Sequence, residues 1–548
     1  MTKTWRWIAV TGANTFWVGD SGWLLTSGIG RCRSDAEPQL LFPFGLYGRT
    51  MKRGNGKPRR TGGRLRVLLV VLFALGAVPG LASAHQVPSS KFASPLPLPL
   101  LFLGAGATVA LTAGWLAFTE RTPAESAQRT RVLTVPPSVS AAIRLTLRLV
   151  FFAGFVAALV LGVVGKQAQE GNFATVFTWP VWFRGVALLS ILLGTPWAVL
   201  SPWRTLYRGF TWLEGERLAV LGSYPKRLAS WPAFVGFVLL MGIFENLTYI
   251  PTSPQLTTVV LAVYASLMII GSVLYGTEWF RRADPLSVLY RLFGRVSSVT
   301  IDRTEDGSTD VSLRAPWRGS VEPVRSFSLV AFVVTAVYTV SFDGFTNTRT
   351  YQDVLFGTRD ALGTGPETSV LLYAVGLVGF VVSFTLASVL VERLGGSEGA
   401  RTGRIADANT DGGQVADGDG QPLAPGWRGA AQAFAPTVLP IAAAYEVAHN
   451  YTYVFRYVGQ LVAVALHPVA PGVQAVNPLG WLSLPAFWGS QVLLIVVGHV
   501  IAVVAAHYVA VERFETLAAA RRGHLPLVVL MVGYTVLSLW IISQPVVS

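Results

Sequence analysis

Ten apolar runs of about 20 residues follow one another along this chain, and they restrict its fold more than any other feature. A helix of that length spans the roughly 30 Å hydrocarbon core of a bilayer, where only helices and closed barrels satisfy their backbone polar groups. The sequence therefore predicts an all-α, polytopic integral membrane protein with about ten transmembrane helices embedded in the lipid bilayer. The predicted spans are residues 98–118, 144–165, 180–200, 231–250, 256–276, 326–342, 368–391, 436–458, 487–511 and 525–543.

Charged residues are few and unevenly placed. Only 13% of the 548 residues are Asp, Glu, Lys or Arg, whereas about a quarter are charged in soluble domains. With the mature N-terminus outside, the inside loops 119–143, 201–230, 277–325, 392–435 and 512–524 hold 23 Lys and Arg, and the outside segments hold four. Because cytoplasmic loops carry this excess, we predict a plasma-membrane protein with both mature termini outside. The net charge of +14 therefore needs no nucleic-acid partner.

The first 84 residues read as two segments that precede the folded protein. Residues 51–84 begin with MKRGNGKPRR, continue as an apolar stretch and end in Ala-Ser-Ala, which is the pattern of a cleavable signal peptide. Residues 1–50 contain no sustained span, so we expect a mis-annotated or disordered extension, with a genuine cytoplasmic extension as the alternative. Cleavage would leave His85 as the first residue, a weak candidate copper ligand through its amine and imidazole.

A Gly- and Asp-rich stretch divides the predicted spans into two groups. Residues 393–435 are predicted to be a disordered cytoplasmic linker. Residues 85–392 then form a first membrane bundle of seven spans, and residues 436–548 form a second segment of three. The single cysteine, Cys32, excludes disulfides and thiolate metal sites from everything after residue 84.

Two inner segments, 201–217 and 278–295, mix aromatic and basic residues. That mixture is typical of helices that lie in the membrane interface. We therefore predict that both segments lie there and anchor the bundle.

The eighth and ninth predicted spans carry the polar residues that most resemble a functional site. Glu446, His449, Asn450 and Tyr453 are spaced i, i+3, i+4 and i+7, so they share one helical face. Counted at about 1.5 Å per residue, Glu446 and His499 lie at similar depth on consecutive helices. Since ionisable groups at membrane depth are costly and usually functional, we predict that Glu446, His449 and His499 form a catalytic or metal-binding group.

Other spans supply polar residues to the same region. Glu245 and Asn246 lie in the outer half of the fourth span, and Asp343 ends the sixth. We predict that they join Asn450 and Tyr453 in an outward-open pocket. The pocket could hold a transition metal, because a Glu-x-x-His pair occurs in carboxylate-bridged metal sites. It could also hold a haem between two histidines, pass protons, or only join helices by hydrogen bonds.

Several ordered strings give the chain a family resemblance. They include VWFRGVALLSILLGTPWAVLSPWRTLYR, YGTEWFRRADPLSVLYRLFGR, SFDGFTNT, AYEVAHNYTYVFRYVGQ and GHVIAVVAAH. Over about residues 84–512 the chain resembles the prokaryotic multi-pass membrane family labelled fenitrothion hydrolase-like. The resemblance implies hydrolysis of an organophosphate triester. The chain departs from the family pattern near its mature start and at Tyr508.

Three functions are therefore open at the level of the sequence. The first is a metal- or haem-dependent membrane enzyme, with hydrolysis as the version that the resemblance implies. The second is a proton- or ion-coupled transporter, and the third is a structural membrane protein without turnover.

Overall fold

A computed structural model describes residues 98–117, 129–396 and 423–544. Within these ranges the chain is a bundle of helices with one small sheet. The helices α1–α8 are Leu98–Ala117, Pro137–Val164, Phe173–Leu193, Trp197–Leu200, Pro202–Glu214, Trp231–Glu245, Pro254–Tyr275 and Thr277–Arg282. The helices α9–α16 are Pro285–Gly294, Phe327–Thr346, Arg349–Leu362, Thr368–Gly395, Trp427–Phe434, Leu439–Leu466, Leu484–Arg513 and Leu517–Ser543.

The prediction of an all-α polytopic membrane protein is confirmed. Seven of the described helices are long and apolar enough to cross a bilayer, namely α2, α3, α7, α10, α12, α15 and α16. Two further predicted spans are shorter apolar helices, in α1 and α6. The eighth predicted span coincides with the 28-residue helix α14, which is not among the seven. The total of ten spans stays a prediction.

A three-stranded antiparallel sheet joins two loops that are far apart in sequence. Its strands are β1 (Thr130–Val135), β2 (Val299–Arg303) and β3 (Thr309–Leu313), in the order β1-β3-β2. The β2–β3 turn is closed by Asp306, which accepts hydrogen bonds from the hydroxyl of Thr304 and from the amide and hydroxyl of Ser308. These bonds hold the pKa of the exposed Asp306 carboxyl below its usual range.

Contacts between loops show which of them lie on the same face of the helical bundle. The inner face is the one with the sheet, and there the amide of Val324 donates to the carbonyl of Gln432 (3.0 Å) and Arg513 pairs with Glu392 (2.8 Å). The described residues 129–136, 297–325 and 423–434 therefore share this face with the ends of α12 and α15, as alternating spans require. On the outer face, Arg456 pairs with Glu170 (3.0 Å). Which face is cytoplasmic stays a prediction from the charge distribution.

The two predicted interfacial helices differ from each other. α5 exposes Trp212 by 81%, as an interfacial helix would. In the predicted segment 278–295, α8 is half-buried and its place in the interface stays a prediction, whereas α9 is buried inside the bundle except for the half-buried Arg291. The reason is its polar anchor: the carboxylate of Asp284 accepts hydrogen bonds from the indoles of Trp197 (3.1 Å) and Trp203 (3.0 Å), which holds α9 inside the bundle.

Several predictions fall on residues outside the described ranges. They are the extension 1–50, the signal peptide 51–84, His85 and most of the linker 393–435. The last part of that linker is described, and it forms the buried helix α13. Gln432 fixes it there by donating to the carbonyl of Arg325 (2.7 Å).

Candidate functional site

A single buried arginine, Arg184, binds three carboxylates from three other helices. Its side chain is only 4% exposed. Nε donates to Glu245 Oε1 at 2.7 Å, and Nη1 donates to Glu446 Oε1 and Oε2 at 3.2 and 3.0 Å. Nη2 donates to Asp343 Oδ2 at 3.2 Å. We call Arg184, Glu245, Asp343 and Glu446 the Arg184 cluster.

The local helix geometry positions two of these side chains, those of Arg184 and Glu245. The segment Phe177–Arg184 of α3 is π-helical and contains Pro180, which cannot donate to the helix ladder. The segment Val238–Glu245 of α6 is also π-helical. Each wide segment ends on a charged residue of the cluster, and π-helical turns are frequent at functional sites.

Aromatic side chains support the cluster from the inner side. Tyr290 of α9 is fully buried and donates to the carbonyls of Trp182 (3.3 Å) and Phe183 (3.0 Å), the two residues before Arg184. Trp182 itself packs against Trp197 and Trp203, with ring centroids 5.6 and 5.8 Å apart. This packing fixes the backbone that carries the guanidinium.

His449 forms the accessible edge of the cluster. Its Nε2 lies 3.7 Å from Asp343 Oδ2, and its side chain is 22% exposed. The ring stacks on Tyr445 of the preceding turn, with centroids 6.0 Å apart. On the same helix, the Tyr453 ring packs against Tyr457, with centroids 4.9 Å apart.

Two predicted pocket residues, Asn246 and Asn450, are buried. They follow the cluster residues Glu245 and Glu446 by one and four positions in the sequence. Within the described part of the chain, neither amide atom of Asn246 has a hydrogen-bond partner, and the same holds for Nδ2 of Asn450. Unmade hydrogen bonds of this kind are costly in a buried site. The hydrogen-bonding capacity of these buried atoms is therefore unused in the described structure.

His499 is buried but is bonded differently from the prediction. Its Nδ1 lies 2.8 Å from the carbonyl of Ile495, which can only accept, so Nδ1 carries the proton. Its Nε2 has no hydrogen-bond partner among the described residues. Glu446 pairs with Arg184, and no ion pair joins it to His499 in the described structure. The two helices do touch at this depth, where Gly498 faces Ala444.

The arrangement does not fit the metal or haem that the sequence suggested. No group of three His, Cys, Asp or Glu residues in the described ranges could hold a metal ion. The carboxylates face the Arg184 guanidinium, and a dication placed among them would meet that positive charge. A haem between His449 and His499 would need a ring nitrogen of each histidine to bind one iron from opposite sides, whereas His449 Nε2 faces Asp343. Of the remaining candidate, His85, the structure describes nothing.

Comparisons with known proteins return nothing. No protein-family model matches the chain, no curated protein matches it, and no solved structure matches it. The resemblance to fenitrothion hydrolase-like proteins, and the hydrolase activity that it implies, therefore stay predictions.

Sequence reasoning missed Arg184, the residue at the centre of the site. The signal was present, because Arg184 is the one charged residue in the apolar run VWFRGVALLSILL. A charged side chain at that depth requires a partner inside the bundle. Three separate carboxylates, each in an apolar span, were the available partners.

Proposed function

We propose that this multi-pass membrane protein takes up and releases protons at the Arg184 cluster, as a proton-coupled transporter or proton relay. The observation that supports this most is the balance of charge. Asp343 and Glu446 share one guanidinium, and Glu245 binds it as well. Even without Glu245, the carboxylates of Asp343 and Glu446 carry two negative charges against the one positive charge of Arg184. One negative charge therefore remains unless a proton or another cation neutralises it.

The cost of that excess charge is large. Two like charges 4 Å apart repel by about 4 kcal/mol at an effective dielectric constant of 20, and burial adds a desolvation penalty. The buried pair Glu392–Arg513 shows how the same protein stabilises a single carboxylate, with one arginine for one acid at 2.8 Å. The Arg184 cluster departs from that ratio, which favours a site whose occupancy by protons changes.

His449 and Asp343 are placed to pass the proton. A neutral imidazole both accepts and donates protons near neutral pH, and His449 Nε2 lies 3.7 Å from Asp343 Oδ2. A proton delivered to Asp343 cancels its attraction to Arg184. The guanidinium is then held by Glu245 and Glu446 alone, and α10 is released from one of its bonds to α3.

Two residues of the site lie toward the outer face, so we infer that protons reach the site from that side. Asp343 lies near the end of α10, which terminates at Thr346. His449 precedes Arg456, which pairs with the outer-face residue Glu170, by seven residues, or roughly 10 Å of helix. Toward the inner face lies the fully buried Tyr290 of α9, the helix that leads into the inner-face strand β2.

Infrared difference spectroscopy of the purified protein tests proton binding without knowledge of a transported substrate. As the pH is lowered, we expect a carbonyl stretching band of a buried carboxylic acid to appear. In Asp343→Asn and Glu446→Gln that band should shift or be lost. Glu392→Gln is the matched control, because it removes a buried carboxylate from a charge-balanced pair, and it should leave the band unchanged.

Proteoliposomes with an internal pH indicator give the second measurement. An imposed membrane potential should drive proton entry in the parent protein, and entry should be slowed at least about a hundredfold in Asp343→Asn and in Glu446→Gln, the lower end of the effect expected when one acid–base group is lost. An infrared band that is unaffected by both cluster variants, or proton entry that survives both, contradicts the proposal.

A further inference from the structure

A second charged group, separate from the Arg184 cluster, lies toward the inner face. It consists of Arg148 on α2 and of Arg204 and Arg208 on α5, two helices that pack together. Arg204 and Arg208 are spaced i, i+4 and so share one face of α5. The Arg204 guanidinium lies over the Phe280 ring, 5.1 Å from its centroid. We call the three residues the arginine patch.

Within the described ranges, no residue of the arginine patch forms an ion pair with a carboxylate. Asp284 is the acid that attracts Arg204, but the Asp284 oxygens accept hydrogen bonds from Trp197, Trp203 and Tyr264. The buried Nε atoms of Arg148 and Arg204 have no hydrogen-bond partner in the described structure. The protein therefore leaves donors of fixed positive charge unused at this place.

The three arginines also repel one another. Burial, and then the neighbouring charges of Arg208 and Arg291, lower the pKa of Arg204 to about 10, against the opposing attraction of Asp284. Partial desolvation, and then the charge of Arg148, lower the pKa of Arg208. A group of like charges that is held together without counter-charges gains stability when an anion binds.

The position of α5 indicates where that anion comes from. The last turns of α5 expose Trp212 and Leu213 by 81% and 74%, next to the exposed Arg208. Apolar residues with basic residues beside them are typical of a helix that lies at the boundary of headgroups and acyl chains. Arg148 lies about one turn inside the predicted span 144–165, so its long side chain reaches the same level.

We propose that the arginine patch binds the phosphate of an anionic phospholipid in the inner leaflet. Guanidinium groups bind phosphate through paired hydrogen bonds, and basic pockets between membrane helices on the cytoplasmic side bind acidic headgroups. Bound there, the phosphate bridges α2 and α5 and supplies the counter-charge that the protein lacks. The exposed side chains of Trp212 and Leu213 hold α5 at the depth of the headgroup.

Titration of the purified full-length protein with short-chain phosphatidylglycerol tests this proposal, with native mass spectrometry as the readout of bound lipid. Each basic residue near the acidic surface is worth about a fivefold change in affinity, so Arg148→Gln, Arg204→Gln and Arg208→Gln together should weaken binding roughly a hundredfold. Arg208→Gln alone, at an exposed position where substitutions usually change stability little, should weaken it about fivefold. Arg393→Gln, an exposed arginine near the inner end of α12, is the matched control and should bind as the parent does.

Two further probes separate the sources of the phosphate. Short-chain phosphatidylcholine should bind more weakly than phosphatidylglycerol, and inorganic phosphate at equal concentration should not compete. Equal binding of the two lipids overturns the proposal, as does unchanged phosphatidylglycerol affinity in the triple variant and in Arg208→Gln. Competition by inorganic phosphate alone assigns the patch to free phosphate and also overturns it.

Discussion

At the scale of single residues, Arg184 determines whether the buried acids can be tolerated. Arg184→Gln removes the guanidinium that they share, so we expect a loss of about 3–5 kcal/mol in the free energy of unfolding. The loss should be largest at neutral and alkaline pH and should shrink as the pH falls, because carboxyl groups that take up protons no longer need a counter-charge. Chemical unfolding in detergent at several pH values measures both effects.

The control for this prediction is a second arginine that also pairs with glutamate. Arg456 and its partner Glu170 are both about half exposed, and exposed ion pairs contribute about 0–1 kcal/mol. Arg456→Gln should therefore change stability little at any pH. A deficit in Arg184→Gln that does not depend on pH would show that the guanidinium acts through packing rather than through charge.

The sequence predicted part of this site. The spacing of Glu446 and His449 predicts a shared helical face, and the structure gives both residues partners in one group, through Arg184 and Asp343. The partner of Glu446 was not predictable by depth alone. Depth along a helix gives one coordinate, whereas the rotation of each helix decides whether Glu446 meets His499 or Arg184. That rotation depends on packing in three dimensions.

At the scale of elements, the contact between α14 and α15 depends on a glycine. A Cβ added at Gly498 would lie 2.3 Å from Ala444 Cβ and 2.7 Å from the Pro440 carbonyl oxygen. Gly498→Ala must therefore push the helices apart, and we expect it to cost about 1–3 kcal/mol. Since Glu446 follows Ala444 by two residues, the same variant should also alter the infrared band of the Arg184 cluster.

Gly489, at the exposed start of α15, provides the comparison. A Cβ added there meets nothing within 4 Å. Gly489→Ala should therefore be neutral or stabilise the helix by up to about 1 kcal/mol. Thermal unfolding of both variants decides the matter, and equal effects at the two positions would refute the close contact.

Sequence patterns predict long apolar helices well, because length and hydropathy alone decide whether a segment can cross a bilayer. They predict poorly where such a helix departs from regular α-helical geometry and where a short helix is buried inside the bundle. The π-helical segments of α3 and α6 end on Arg184 and Glu245, whose partners lie on distant helices. The burial of α9 depends in the same way on Trp197 and Trp203 reaching Asp284. In each case contacts distant in sequence outweigh the local signal.

At the scale of the whole molecule, the two faces can be distinguished by labelling. With Cys32 replaced by serine, Glu305→Cys on the inner-face hairpin should be protected from an impermeant thiol reagent in intact cells and should react after lysis. Pro366→Cys, in the outer-face loop before α12, should react in intact cells. The physical reason is the excess of basic residues in the inner loops. Reaction of residue 305 in intact cells would reverse the orientation that we predict.

The inner-face sheet has a consequence for how the protein is made. The side chain of Arg131 in β1 donates a hydrogen bond to Asp310 in β3 (3.4 Å) although the two residues lie 179 positions apart in the sequence. At a synthesis rate of 5–20 residues per second, β1 leaves the ribosome roughly 10 to 35 s before its partner exists. Because β3 is the central strand, β2 cannot take its place. During that interval β1 is an open edge able to pair with another chain, and the insertion of four intervening predicted spans must be completed before it closes.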